Sequence, residues 1–462
     1  MILIIFCSFV ALAATVALAD WRRAWLLACL VGVLQDPARK LSPGQPIFIT
    51  FGIIAVYGMI LFGTQQRIQH ALRDFSRRFT RVWGAFGVLL LFLFLAAVNG
   101  VMTFGVDQWK APMLSLFVYL APLPGILLGY MYLDREERLY GFFTFYAVIT
   151  SIALIGTPLE YYRVHSAALG MVHQVGDYIR YLPGIELRMI SGFYRAPDIM
   201  GWHAATLTSI ALAMIVRSEM GRRSWPWMAV AGWGFYNCMI SGRRKAIYYV
   251  AVFAAIFVWR YFQRLKAGRV AAILMAAFVM AFVIHQIRGN EDSSPYALAA
   301  ATSSEELQGR LEGGLFETIR QAGIMGAGLG TATQGVQHVL GRDMGVSWQE
   351  GGLGKLAVEI GLPGVLAAAL LAFAAFRSGL RISGLPDRPW SKQVGRVALF
   401  SLTMANIANF LASAQTYSDP VITIMTCFFV GCLFGTVTLE ERAALVAVAV
   451  PETKPQLAPA TA

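Results

Sequence analysis

Residues 82–99 read VWGAFGVLLLFLFLAAVN, an apolar run without a single Asp, Glu, Lys or Arg. At about 1.5 Å of rise per residue, a helix over this run reaches about 27 Å, close to the hydrocarbon thickness of a bilayer. It has no polar face to turn towards water, so the run predicts a membrane span and not an amphipathic surface helix. Similar runs recur along the chain, at 1–19, 24–35, 47–63, 112–132, 139–157, 197–216, 225–240, 246–262, 270–287, 352–375, 395–412 and 418–439. The run at 24–35 is short for a full crossing and leaves a re-entrant segment open. Twelve or thirteen crossings are therefore expected, with no internal repeat. The fold class expected is an all-α polytopic membrane protein, with residues 1–440 as one integral membrane domain.

Composition agrees with that reading. The 462 residues are 57% hydrophobic and 14% charged, whereas soluble domains are about a quarter charged. The formal net charge of +12 does not point to nucleic acid, because most basic residues sit in short loops between spans, where they set topology. Cys7, Cys29, Cys238, Cys427 and Cys432 all lie in apolar runs. They predict neither a disulfide framework nor a zinc site. The N-terminal run ends Ala17-Leu18-Ala19, like a signal-peptidase site, but no Lys or Arg precedes it. A retained first span is expected. The tail 441–462, rich in Pro, Ala and Thr from Pro451 on, is expected to be disordered and cytoplasmic.

Four loops carry the basic bias. They hold Arg67, Arg73, Arg77, Arg78 and Arg81; Arg217, Arg222 and Arg223; Arg260, Arg264, Lys266 and Arg269; and Arg377, Arg381, Arg388 and Lys392. The spans place all four on one side, which the positive-inside rule makes cytoplasmic. The loops 158–196 and 288–350 then face the periplasm or cell exterior. So does the tight connection Ser241–Lys245, and Arg243-Arg244-Lys245 breaks the charge rule there. Two readings stand: the parity shifts at that point, or the cluster is kept to bind an anion.

The outer loops also hold Arg163, Arg180, Arg188, Arg195, Arg288, Arg310, Arg320 and Arg342, with lysine nearly absent. A guanidinium presents a planar fork of donors that fits phosphate oxygens bidentately. A set of such forks outside a helical bundle suits a diphosphate, although any one of these arginines alone reads as a solvated charge. The block 288–350 is the long polar interruption in an apolar chain and is the expected catalytic loop. Its Gly326-x-Gly328-x-Gly330 run superficially resembles a nucleotide-binding fingerprint, but the strand and βαβ unit which that needs are missing. A loop turn that approaches a phosphate through backbone N–H groups fits better. His165, His173, Asp177 and Glu186 lack metal-ligand spacing and read as sugar-contacting or solvated. His203 and His285 fall within or at the end of spans, where an ionisable group is a functional suspect and a satisfied core histidine is an equal alternative.

Several of these motifs carry a family resemblance. Arg188-Met-Ile-Ser-Gly192-Phe193-Tyr-Arg195-Ala-Pro197-Asp198-Ile-Met-Gly201 resembles a segment of the O-antigen ligase and polymerase superfamily. Ser241-Gly-Arg243-Arg244-Lys-Ala246 resembles that family's turn between two spans. Gly309-Arg310 resembles the start of its catalytic loop, Gly326-x-Gly328-x-Gly330 its glycine turn, and Glu359-x-Gly361-x-x-Gly364 the helix after the loop. The motifs run in order from residue 188 to 364. Where many relatives place a His, about eleven residues before the glycine matched by Gly361, this chain has Glu350.

The resemblance implies a glycosyltransferase of the polytopic GT-C-like kind in the bacterial inner (cytoplasmic) membrane, metal-independent and without a cofactor. It would polymerise undecaprenyl-diphosphate-linked oligosaccharide units into exopolysaccharide or O-antigen. Glu350 or His338 would act as base. Arg188, Arg195, Arg243, Arg244 and Arg310 would hold the diphosphate, and Gly309, Gly326, Gly328 and Gly330 would shape the loop. The partners implied are lipid-linked glycans, membrane lipids, a chain-length regulator and a flippase. A ligase that passes finished glycan to a lipid or protein acceptor is the first alternative. A flippase or transporter with an arginine-lined anion path is the second.

Overall fold

The computed structural model describes residues 1–172, 179–182, 185–218, 222–262, 295, 318–333, 336, 351–384 and 390–449. The helices are α1 (Ile2–Ala19), α2 (Trp21–Lys40), α3 (Gly52–Gly63), α4 (Gln65–Arg78), α5 (Thr80–Phe104), α6 (Lys110–Leu120), α7 (Pro124–Tyr132), α8 (Glu136–Ala153) and α9 (Gly156–Tyr161). After a small hairpin come α10 (Pro197–Arg217), α11 (Trp225–Ile240), α12 (Arg244–Phe262), α13 (Gly352–Ser383), α14 (Trp390–Ala412) and α15 (Pro420–Ala449). The hairpin pairs β1 (Ile179–Leu182) with β2 (Ile185–Arg188) antiparallel, Ile179 facing Arg188 and Leu182 facing Ile185. It lies inside the expected loop 158–196 and is the one departure from an all-α fold among the described residues.

Eight helical segments among the described residues are long and apolar enough to cross a membrane. They are α1, α5, α6 with α7, α8 with α9, α10, α13, most of α14, and α15 as far as Leu439. A ninth candidate is the segment ending in α3, bent by 79° from α4. The protein is thus a multi-pass, essentially all-α membrane protein. Of the other runs read from sequence, 270–287 lies outside the described residues, and those at 24–35, 225–240 and 246–262 fall in α2, α11 and α12.

Those three helices are shorter or more polar than the eight for local reasons. α11 has only 16 residues. α12 begins Arg244-Lys245 and has Arg260 in its last turn. α2 ends Gln35-Asp36-Pro37-Ala38-Arg39-Lys40, yet Gln35, Asp36, Arg39 and Lys40 are all buried in protein. Hydropathy misses α2 because its polar turn faces other helices and not lipid. α2 runs for 20 residues and joins both ends of the bundle. Arg22 at its start pairs with Asp134 at 3.2 Å, and Lys40 at its end donates to the Gly192 carbonyl at 2.8 Å.

Contacts such as these define two ends of the bundle. At one end, Asp134 pairs with Arg22 and Arg138, Tyr130 donates to Asp74, the Arg217 guanidinium covers the Tyr140 ring, and Arg260 donates to the Leu380 carbonyl. At the opposite end meet the C-termini of α2, α11 and α14 and the N-termini of α10, α12 and α15. α10 is the central helix, 83% buried over its apolar window, while α1 is 17% buried and turns Ile4, Ile5 and Leu12 outward.

α7 packs closely against α15. The contact rests on Gly125-x-x-x-Gly129 facing Gly431-x-x-x-Gly435. A Cβ at Gly129 would collide with the Phe428 carbonyl, and one at Gly431 with the Ile126 carbonyl. Small residues four apart let helix backbones touch inside a membrane. Replacing Gly431 with Val should therefore force the pair apart and cost about 1–3 kcal/mol by overpacking. Thermal unfolding in detergent checks it, with Gly141→Ala, where a Cβ meets open space, as the control that leaves the midpoint unchanged.

Candidate functional site

The end built by α2, α10, α12, α14 and α15 carries a buried charge network. It is organised by the segment just before α10. Pro197 opens that helix at its first position, where a missing N–H costs nothing. Arg195, two residues earlier, lies in ion-pair contact with Asp419 and 3.4 Å from Asp36, and its backbone N–H donates to Asp36 at 3.0 Å. Asp419 also accepts from the Val421 and Ile422 N–H groups at 2.7 and 3.1 Å, capping the start of α15. Lys40 donates to the Gly192 and Tyr194 carbonyls.

In the first turn of α10, Asp198 contacts Arg243 at 2.9 Å and Lys245, and Lys245 also donates to Ser413. The turn Ser241-Gly242-Arg243 that presents these cations needs glycine. Gly242 has φ +67, and a Cβ there would stand 2.8 Å from Met189 Sδ. Arg244 follows, buried in the first turn of α12.

Burial sets the electrostatics of this network. Burial works against the Arg195 charge, but Asp419 and Asp36 outweigh it and hold its pKa above the usual value. Burial also raises the Asp419 carboxyl, against the pull of Arg195. The Lys40 ammonium is pushed down to about 8 by burial, which Asp36 and Glu160 oppose. Among the described residues, the network brings the cations Arg39, Lys40, Arg195, Arg243, Arg244 and Lys245 together with the carboxylates Asp36, Glu160, Asp198 and Asp419.

A second polar centre lies between α6 and the first half of α13. Glu359 is fully buried. Its Oε1 accepts from Gly330 N–H at 3.2 Å, Ala332 N–H at 3.3 Å, Thr333 Oγ1 at 2.5 Å and Ser115 Oγ at 3.4 Å. Its Oε2 accepts from Tyr119 OH at 2.6 Å. The glycine run is the other half of this joint. Gly326, Gly328 and Gly330 all have positive φ, and Gly328 lies against the Gly100 backbone of α5 where no Cβ fits. α13 breaks at Gly361 (φ 66, ψ 179), just before Pro363. The break frees the Val358 carbonyl and the Leu362 N–H, which bond to Ala327 N–H at 2.7 Å and the Ile324 carbonyl at 2.8 Å.

Several residues singled out from sequence take definite places. Arg195, Arg243 and Arg244 gather at one end of the bundle, but Arg195 and Arg243 face carboxylates of the protein itself. Arg188 ends β2 and comes 3.5 Å from the Tyr161 carbonyl. Around the glycine run, the N–H groups of Ala327, Leu329, Gly330 and Ala332 donate to Val358, Ala96 and Glu359. His203 is a core histidine, its Nδ1 2.8 Å from Tyr146 OH and its ring stacked on Tyr194. Gly309, Arg310, His338 and Glu350 lie outside the described residues. So do Arg288, Arg342, His173, Asp177 and His285.

The sequence reading missed Asp36, Lys40, Glu160 and Asp419. The available signal was an acidic residue at the edge of an apolar run, which is rare unless it is partnered. Among the described residues, no group of three or more His, Cys, Asp or Glu is placed to hold a metal ion. The sequence matches no protein-family model and no curated protein.

Proposed function

We propose that the chain is a membrane glycosyltransferase that polymerises lipid-diphosphate-linked oligosaccharides at the α2–α10–α12–α14–α15 end of its bundle. The observation that carries this is the gathering of Arg39, Lys40, Arg195, Arg243, Arg244 and Lys245 at that end. Guanidinium and ammonium groups gathered at one end of a bundle suit an anionic substrate group. A sugar diphosphate supplies both that anion and the leaving group, so no nucleotide is required. The order of the motifs from Arg188 to Gly364 supports the same class by resemblance.

Orientation belongs to the proposal. Arg67, Arg73, Arg77 and Arg78 lie on α4, with Arg217, Arg222, Arg223, Arg377 and Arg381 at the same end as the Asp134 cluster. That end is cytoplasmic by the positive-inside rule, which turns the site to the periplasmic side of a bacterial inner membrane. Ser166 is exposed near the site and Gln69 is exposed on α4. A cysteine at position 166 should react with a membrane-impermeant maleimide in intact spheroplasts, and one at position 69 only after permeabilisation. The reverse pattern would sink the orientation and with it the periplasmic site.

The activity itself is tested with the purified full-length chain in lipid nanodiscs, supplied with undecaprenyl-diphosphate-linked oligosaccharide. A ladder of lengthened lipid-linked products is expected. Transfer only to a separate lipid or protein acceptor would make the chain a ligase. Movement of the substrate across proteoliposomes without transfer would make it a transporter.

A further inference from the structure

Beside the charge network lies a cavity of about 280 Å³ whose wall includes Glu160, Arg163, His165, Ser166, Arg188 and Met189. That volume is near the lower end of the range for small-molecule sites, which suits one sugar ring and an adjoining phosphate better than a chain. From the structure we infer that this cavity is the reaction centre and that Glu160 is its proton acceptor. This inference rests on the glycosyltransferase reading above. It names, among described residues, the base for which the sequence offered Glu350 and His338.

Three observations carry it. The first is Glu160 itself, 8% exposed at the end of α9. Its Oε2 accepts from the Gly170, Ser191 and Gly192 N–H groups at 3.1, 3.1 and 2.6 Å and from Ser191 Oγ at 3.4 Å. One oxygen is thus fixed by four donors, while Oε1 accepts no hydrogen bond among the described residues. That oxygen is open to the cavity that Glu160 lines, where the donor of a ligand can reach it. A sugar hydroxyl is such a donor.

The second observation is Arg163. It ends α9 in the left-handed region, φ 60, a C-terminal position that glycine ordinarily fills. An arginine held there costs about 1–3 kcal/mol of backbone strain, the kind of strain that collects at ligand sites. Its side chain belongs to the cavity wall together with Arg188. The third is position. The Gly192 whose N–H holds Glu160 presents its carbonyl to Lys40, so the cavity and the charge network share one segment of backbone.

The chemistry balances with these groups. Glu160 Oε1 takes the proton from an acceptor-sugar hydroxyl. The hydroxyl oxygen forms a bond to the anomeric carbon of the donor sugar. The bond from that carbon to the diphosphate oxygen breaks, and its electron pair leaves on the diphosphate, where Arg163 and Arg188 meet the charge. The proton on Glu160 then passes to water.

The test uses the full-length chain in nanodiscs with undecaprenyl-diphosphate-linked oligosaccharide. Glu160→Gln keeps an acceptor oxygen for the Gly170, Ser191 and Gly192 donors but cannot take a proton. Its kcat should fall about 100-fold or more, with KM within about threefold, and the acidic limb of the kcat–pH profile should vanish. Arg163→Gly relieves the strained φ, so its unfolding midpoint should not fall, while KM rises about tenfold, the loss of one charge-assisted contact.

A Glu160→Gln enzyme with wild-type kcat and wild-type pH profile overturns the inference and leaves the glycosyltransferase reading intact. Wild-type chain that transfers no sugar overturns that reading instead. If Glu160→Gln does not fold, carbodiimide coupling of glycine ethyl ester to the wild-type chain decides. Glu160 should be modified in the empty enzyme and protected by the lipid-linked substrate. Equal modification with and without substrate overturns the proposal.

Discussion

Replacing Glu359 with Ala is expected to destabilise the protein by about 4 kcal/mol or more, the exceptional end of single-substitution effects. The carboxylate is fully buried and serves five donors: Gly330 N–H, Ala332 N–H, Thr333 Oγ1, Ser115 Oγ and Tyr119 OH. Each buried donor left without an acceptor costs about 1–3 kcal/mol. Water entering the vacated space would recover some of that, so the full sum is not expected. The damage should reach beyond one helix, because those donors belong to the turn wedged between α5 and the break in α13. Glu359→Gln retains an acceptor for the Oε1 group of donors but presents an NH₂ towards Tyr119, whose hydroxyl can rotate to accept it. Its loss should be much smaller. Thermal unfolding in one detergent reads both variants. A Glu359→Ala protein as stable as wild type would remove Glu359 as the anchor of the glycine turn.

How much of this was legible in the sequence depends on what each residue faces. Residues 82–99 could be read as a span because α5 turns Leu91, Phe94, Leu95 and Val98 outward, so its surroundings show in its composition. The run at 24–35 looked short for a crossing because the last turn of α2 is polar and faces protein. No local pattern distinguishes a polar turn that ends a helix from one that enters a buried network. The arginines were legible one at a time, Arg195 as part of the expected outer loop 158–196 and Arg243 because Arg243-Arg244-Lys245 breaks the charge rule expected there. Their partners were not, because Asp36 lies 159 residues from Arg195 in sequence and Asp419 further still. Glu359 and Gly361 were visible as a motif, but their work was not. Only the folded chain brings residues 326–333 to the place where α13 opens.

The same distinction decides what Arg195 does, and Arg195→Met is expected to show it. If the guanidinium serves substrate alone, its loss changes activity and leaves stability untouched. The geometry predicts otherwise. Asp36 and Asp419 are 3% and 2% exposed, and Arg195 meets both. Methionine has similar reach and no charge, so both carboxylates would be left buried without their cation. Breaking a buried ion pair from one side costs about 3–5 kcal/mol, and Arg195→Met should lower the unfolding midpoint accordingly. Adding Asp36→Asn and Asp419→Asn to Arg195→Met should restore much of the loss, since the amides remove the stranded charges at nearly unchanged volume. Recovery of stability with no recovery of transfer activity would give Arg195 two roles, in the scaffold and towards the substrate diphosphate. Recovery of both would confine it to the scaffold and leave anion binding to Arg163 and Arg188 at the cavity.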